Sequence, residues 1–464
     1  MVGLDDLRLD LSHKTESGLT VGETLKKLEF QRQERLSLVP TLDEDVRAVL
    51  RWLNKDVVIE GEDNLSRRER LAELLYSSPE LLDSYKESPF YVSQDKILDR
   101  QGIEAEDEEE EEFYTPASSE FVNARKDIVQ YSLARANRRL QNSIEQNKNL
   151  NLKEVLLRRR ELNKRLKLFE LTGTQLLQGG PVSQVAVSPD GKQVITGDWS
   201  GQIRILDSQS LELQQTYENG HSDKIGGLDW DPTGQYVLSG AADCLLKLWD
   251  TTQSICSHEY SGHTGRVARV KFHPSGKYAA SASFDMTWAF WDLEKQVELL
   301  SQEGHSKEVF NVCMNGDGSL LASAGLDSIG LIWDLRSGES IMVLDGHEKS
   351  IYGLDWSPNG YQVATASADG TIKIWDLRKL GNVGTILAHN SAVVDVRFDK
   401  ENRPFLISGG YDGKVNIYSS YNWKCQHTLE GHTGRVMSVD ISNDLVLYSS
   451  GWDRSVKRWT INDK

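Results

Sequence analysis

The sequence predicts an all-β, seven-bladed β-propeller preceded by a mainly α-helical, partly disordered N-terminal region, and three observations predict it. A Gly-His pair, once Ala-His, recurs at His221, His263, His305, His347, His389 and His432, at intervals of 42, 42, 42, 42 and 43 residues. An aromatic residue ends each period, at Trp249, Trp291, Trp333, Trp375, Tyr418 and Trp459, and Leu206 holds the same place one period earlier, which makes seven units. Within each unit, alternating apolar runs such as RVARVKF are interrupted by turns such as HPSGK or SPNG, the pattern of short antiparallel strands. Four strands per period of about 42 residues form one small sheet, which must stack on its neighbours to bury both faces.

The strand endings KLWD, AFWD, LIWD and KIWD resemble those of the WD40 repeat family, and the resemblance covers residues 169–464. It implies a WD40 propeller for that segment. The last unit ends its third strand at Trp459 with five residues to follow, so the ring lacks a strand. Phe169 to Gln178, FELTGTQLLQ, has the length and composition to supply it, and the ring is expected to close by pairing this strand with the C-terminal blade. The first unit departs from the pattern, with Ser200 in place of Asp, Leu206 in place of Trp and no Gly-His before it, and is expected to be the loosest.

Ser, His and Asp are the parts of a nucleophilic hydrolase, and they recur here in one constellation. The sets are His221, Ser239, Asp243, Trp249; His263, Ser281, Asp285, Trp291; His305, Ser323, Asp327, Trp333; His347, Thr365, Asp369, Trp375; His389, Ser408, Asp412, Tyr418; and His432, Ser449, Asp453, Trp459. A catalytic triad needs one nucleophile, one oxyanion hole and one cleft, and nothing calls for a copy in every blade. Buried loops do call for one, since each imidazole and carboxylate buried without partners costs about 1–3 kcal/mol. These sets are expected to be structural hydrogen-bonded tetrads. No P-loop, H-E-x-x-H or EF-hand spacing occurs, and the four cysteines are far apart, so no enzyme, cofactor or metal site is expected. The cysteine usage fits a reducing compartment, and no run of apolar residues is long enough for a membrane span or signal peptide.

The formal charge of −17 argues against bulk attraction to nucleic acid, yet residues 121–170 hold thirteen Lys or Arg against five Asp or Glu. The N-terminal region divides into an extension (1–40), a helical module (41–80), an acidic linker (81–118) and a basic helical arm (119–168). In the module, Val46, Val49, Leu50 and Leu53 share a helical face, the run VVIEGED connects to a second helix, and Arg47, Arg51, Arg67, Arg68 and Arg70 read by default as a solvated face. The linker, EAEDEEEEEFYTPASSEF, reads as disordered through its acidic run and carries a lone Thr115-Pro116. The arm reads as one long helical stretch with a partial apolar stripe and clustered cations. Its candidates for contact with RNA phosphates are Arg138, Arg139, Arg158, Arg159, Arg160, Lys164 and Arg165.

On the propeller, the turn residues just before the blade Asp sit at the rim in the WD40 pattern. Trp199, Phe284, Tyr411 and Trp452 are large aromatics there, and Arg266 and Arg435 follow the blade His by three residues. These six are the candidate partner-binding residues, suited to an acidic protein or RNA backbone.

VRAVLR, VVIEGED and RRERL resemble the splicing factor motif, except that Asn54 to Val57 replaces the usual Gly-Glu-Pro-Ile type of turn. Motif, acidic linker, basic arm and seven blades, in that order, are together similar to the WD-repeat proteins of the spliceosomal U4/U6 small nuclear ribonucleoprotein. SASFDMTWAFWD, SPNGYQVATASADG and SGGYDGKVNIYSS carry the likeness within the blades. The resemblance implies a nuclear, non-enzymatic scaffold of pre-mRNA splicing. Its implied partners are snRNP proteins, among them an RNA-binding subunit of the U4/U6 particle, together with U4/U6 snRNA, and it implies neither a membrane nor a small-molecule substrate. A rival rests on WDLR at Trp333 to Arg336 and Trp375 to Arg378, which resembles the WD-x-Arg signature of ubiquitin-ligase substrate receptors.

Overall fold

The computed structural model describes residues 39–40, 43–53, 55, 57, 64–78, 85, 119–148, 151–217, 220–253, 255–400 and 403–462. The chain divides into two compact units, Met1–Glu110 and Glu111–Lys464. The extension up to residue 38, most of the VVIEGED connector and the acidic linker with Thr115, apart from Tyr85, lie outside the described residues.

In the first unit, helix α1 (Asp43–Trp52) and helix α2 (Asn64–Ser77) pack together. Val46, Val49, Leu50 and Leu53 recur at helical spacing and are buried against Leu71, Ala72 and Leu75. Arg67 does not lie on a solvated face. Arg67 is 3% exposed, because its helix turns it inward beside the buried Leu71.

The second unit holds seven four-stranded antiparallel sheets. Blade 1 comprises strands β2–β5 (182–217), blade 2 β6–β9 (225–261), blade 3 β10–β13 (267–302) and blade 4 β14–β17 (309–344). Blade 5 comprises β18–β21 (351–387), blade 6 β22–β25 (393–430), and blade 7 β26–β28 (436–461) together with β1 (Phe169–Leu176). Strand β1 pairs antiparallel with β28, from Phe169 opposite Ile461 to Leu176 opposite Ser455, so the first strand closes the last blade. An inner contact crosses the same seam: the Asp440 carboxylate of blade 7 accepts from the Val187 N–H of blade 1 at 2.7 Å.

Such carboxylate-to-backbone bonds recur between neighbouring inner strands, at Asp229 to Phe272, Asp355 to Phe398 and Asp395 to Val439. They satisfy amides that face the channel, where sheet pairing ends. Blades also meet through apolar contact. A Cβ on Gly240 would lie 2.5 Å from a methyl of Val267 in the next blade, so only glycine permits that approach.

The basic stretch is two helices, α3 (Ser119–Lys148) and α4 (Leu152–Leu166), rather than one. Asn151 caps the second, its side chain accepting from the Lys153 amide, and this is the local reason the helix restarts there. Helix α3 lies against the propeller. Phe121, Ala124 and Ile128 join the core between blades 3 and 4, the Tyr131 hydroxyl donates to the Pro274 carbonyl at 2.6 Å, and Arg139 pairs with Asp317 at 2.7 Å. The C-terminal end of helix α4 packs on blades 6 and 7, where Leu166 is buried with Phe169, Phe405 and Trp459. Of the apolar residues read as one stripe, Ile128 and Leu166 are inside, whereas Leu133, Leu140 and Leu156 are exposed. Among the described residues, no helix is long and apolar enough to cross a membrane.

Candidate interaction surface

The six His–Ser–Asp sets come together as hydrogen-bonded chains. In blade 3, His263 Nδ1 lies 2.8 Å from Asp285, its Nε2 lies 2.7 Å from the Ser281 hydroxyl, and the Trp291 indole N–H donates to the same hydroxyl at 2.8 Å. Blades 2, 4, 5 and 7 repeat this, with Thr365 as the hydroxyl in blade 5. In blade 6, His389 meets Asp412 and Ser408, but Tyr418 donates to the Ala388 carbonyl at 3.1 Å.

The network assigns the protons: Nδ1–H donates to the carboxylate, the hydroxyl donates to Nε2, and the indole donates to the hydroxyl. Burial lowers the pKa of His221, His347 and His389 from its ordinary value, which favours this neutral imidazole. Burial alone would raise the carboxyls of Asp285 and Asp453, yet hydrogen bonds from His263 and Thr287, and from His432 and Ser455, hold both well below the usual range.

All six hydroxyl residues are 0% exposed. No substrate carbonyl can approach those oxygens, and an oxygen accepting an indole proton is a poorer nucleophile. The arrangement holds each blade's upper loops to its third strand, and each Asp also accepts from a backbone N–H of its own turn, as Asp285 does from Thr287.

Blade 1 has its own solution. Asp198, two residues before Ser200, accepts from the Ser200 and Gln202 amides and pairs with Arg204 at 2.7 Å, both side chains being buried. The missing His and Asp are thus replaced by a buried ion pair. The signal was present as GDWSGQIR, an Asp six residues before an Arg.

At the rim, the predicted aromatics and cations belong to one another. The Arg266 guanidinium lies 3.6 Å from the Phe284 ring centre, and Arg435 lies over Tyr411 at 4.7 Å and Trp452 at 5.5 Å. Trp452 is 40% exposed and meets Trp199 edge-on at 4.6 Å across the seam between blades 7 and 1, and Lys224 sits over Trp199. Tyr411, Arg435, Trp452, Trp199 and Lys224 therefore form one continuous ladder over blades 6, 7, 1 and 2. The rings preorient the cations, so their N–H edges are presented at little entropic cost. Phe310 and Tyr352, second residues of inner strands, extend the Phe284 cluster toward the channel. Sequence reasoning passed over them, and the register shift at the second residue of each inner strand is what sets them apart.

The arm candidates divide. Arg138, Arg160 and Lys164 are exposed, Arg165 is exposed within the last turn of α4, Arg139 is paired with Asp317, Arg158 pairs with Glu154, and Arg159 lies over Tyr421 of blade 6. Both WDLR arginines fold back on the Asp two residues before them, Arg336 on Asp334 and Arg378 on Asp376. Among the described residues, no cluster of His, Cys, Asp or Glu could hold a metal ion.

Seven four-stranded blades, a β1–β28 closure and repeated His–Ser–Trp chains define a WD-repeat propeller. The family described as WD domain, G-beta repeat matches residues 167–207, 211–250, 254–292, 296–334, 338–376, 381–419 and 423–460. Over 99% of both chains, the sequence is 43% identical to the U4/U6 small nuclear ribonucleoprotein PRP4 of Saccharomyces cerevisiae. It is also 36% identical over 216 residues to human U4/U6 small nuclear ribonucleoprotein Prp4, covering 47% of this chain and 39% of that one. Similarity of 41% over 225 residues extends to an uncharacterised WD repeat-containing protein of Schizosaccharomyces pombe, covering 47% and 46% of the two chains. The chain belongs to the PRP4 family of WD-repeat proteins.

Proposed function

We propose that this chain is a non-enzymatic scaffold subunit of the U4/U6 snRNP and the U4/U6-U5 tri-snRNP, acting in the nucleus in pre-mRNA splicing. The observation that carries the reading is end-to-end similarity to a U4/U6 snRNP protein, covering the helical module and arm as well as the repeats. A rigid ring with preoriented rim groups and a flanking helical arm is suited to holding several partners at once. The sealed hydroxyls of the blade tetrads support the absence of catalysis. Tagged purification from nuclear extract with sequencing of bound RNA tests it. Recovery of U4 and U6 is expected, and their absence overturns the assignment.

In this reading, the rim ladder docks partner snRNP proteins and the basic arm contacts snRNA. Arg266→Glu with Arg435→Glu reverses two of the preoriented cations, and recovery of snRNP proteins should fall; unchanged recovery removes the rim from consideration. Neutralising Arg158, Arg159, Arg160, Lys164 and Arg165 should reduce crosslinking to U4/U6 RNA, and crosslinking at the wild-type level would remove that stretch.

A further inference from the structure

Where α3 passes the lower loops of the propeller, it stands off from them and leaves a cleft of about 860 Å3. Five cations line the cleft: Arg135, Arg138 and Arg139 from the helix, Arg378 from blade 5 and Lys400 from blade 6. Three are oriented by carboxylates, Arg139 by Asp317, Arg378 by Asp376 and Lys400 by Asp440, at 2.7, 2.8 and 3.2 Å. Five cations against three carboxylates leave a local excess of two, inside a chain of net charge −17. The excess lies on Arg135, which bonds the Tyr131 hydroxyl, and on the exposed Arg138.

The cleft is built, not incidental. Gly360, at φ +79°, carries the blade 5 turn against the Arg139 guanidinium, where a Cβ would sit 2.7 Å from its central carbon. The Arg139 Nη1 also donates to the Asn359 carbonyl at 2.8 Å, so helix and loop are locked at this point. Inward, Gly316, Pro358 and Lys400 also line a neighbouring cavity of about 250 Å3 among the inner strands.

We propose that this cleft is a binding site for single-stranded RNA, with the phosphate backbone held between the helix wall and the propeller wall. The inference rests on the reading that the arm contacts RNA and deepens it by adding the propeller residues Arg378 and Lys400. Four of the five cations are arginines, whose planar forks match phosphate oxygens. Arg378 lies 3.5 Å from the Tyr361 ring centre, and its side chain is 59% exposed, so the outer face of the guanidinium is available to stack a base. An acidic peptide would make no use of that plane, and a cavity of this size does not admit a duplex. The arginine of the second WDLR motif thereby acquires a role unrelated to a ubiquitin-ligase adaptor.

The test uses the full chain and a fluorescein-labelled 15-nucleotide polyuridine, with anisotropy followed across a salt series. Arg378→Gln with Lys400→Gln, and separately Arg135→Gln with Arg138→Gln, should each weaken binding about 5- to 30-fold. Each should flatten the slope of log K against log salt by about 1.4, two phosphates at ~0.7 apiece. Crosslinking of a 4-thiouridine oligomer to the unaltered protein should label both Tyr361 and α3, which keeps the proposal testable should a variant fail to fold. Loss in the helix variant alone, or crosslinks confined to the helices, overturns the cleft while leaving RNA contact by the arm standing. No binding by the unaltered chain at low salt overturns both. Tighter binding of polyglutamate or of duplex RNA than of polyuridine overturns the identity of the ligand.

Discussion

Replacing Phe169 by alanine tests whether the ring is held shut by burial at its first strand. Strand β1 is mostly exposed, but Phe169 is 2% exposed and packs with Leu166, Phe405, Ile407, Leu447 and Trp459, tying α4 and blades 6 and 7 together. Truncating a buried Phe costs about 3–5 kcal/mol, the lost transfer energy plus the cavity left behind. The propeller from 169 to 464 has 296 residues, so its melting entropy is ~0.6 kcal/mol/K, and that loss lowers the melting temperature by roughly 5–8 °C. Leu171→Ala in the same strand is the control, since Leu171 is exposed, and it should shift the melt by about 1 °C or less. The assay is calorimetry of the full-length variants. A shift under about 1 °C for Phe169→Ala, or equal shifts for both substitutions, refutes the claim that burial of this one ring closes the propeller.

Ser449→Ala strips partners from His432 Nε2 and the Trp459 indole at once and should cost about 2–5 kcal/mol in thermal unfolding; an unchanged melt with loss of an esterase activity would instead revive the triad. Asp198→Ala leaves Arg204 buried without its carboxylate, an expected cost of about 3–5 kcal/mol, whereas Asp198→Asn with Arg204→Met should recover most of it; equal loss in both would mean that the pair is not what holds blade 1. His273 is pushed down to about 4, first by burial, then by Arg135, against the opposing pull of the Gly318 carbonyl. A depressed histidine binds fewer protons folded than unfolded, so its stabilisation is complete above about pH 6.5 and is lost as pH falls toward 4. Urea unfolding at pH 7 and pH 5 should show roughly 2 kcal/mol of this loss, reduced in His273→Gln, and parallel pH curves for the two proteins would exclude His273 as a source.

The repeat and the blade count were legible in the sequence because they follow from local spacing, and the closing strand because the last unit is one strand short. A Gly-His every 42 or 43 residues and a strand-ending aromatic recur whatever the ring does in three dimensions. The tetrads were legible for the same reason, since all their members lie within one blade. In blade 6, substitution of Tyr for Trp sent the hydrogen bond to Ala388, because a phenol and an indole place their donors at different points. For Asp198 and Arg204 the sequence offered only the six-residue spacing in GDWSGQIR, and the fold was needed to show that both side chains point inward and pair.

The sequence by itself determined the number of blades and the His–Ser–Asp locks of blades 2 to 7, since those locks join residues fewer than 30 positions apart. Tertiary structure decided what the charges do. Arg139 meets Asp317 and Asn359, 178 and 220 residues away, and Arg159 meets Tyr421. The rim cations meet aromatics from neighbouring turns, and two from across the ring's seam form the Trp199–Trp452 contact. The basic stretch read as a helix bearing exposed arginines, but a long side chain takes its role from whatever surface the helix is laid against. Only the packing of α3 under blades 3 to 5 turns part of that charge inward and makes a walled cleft of it.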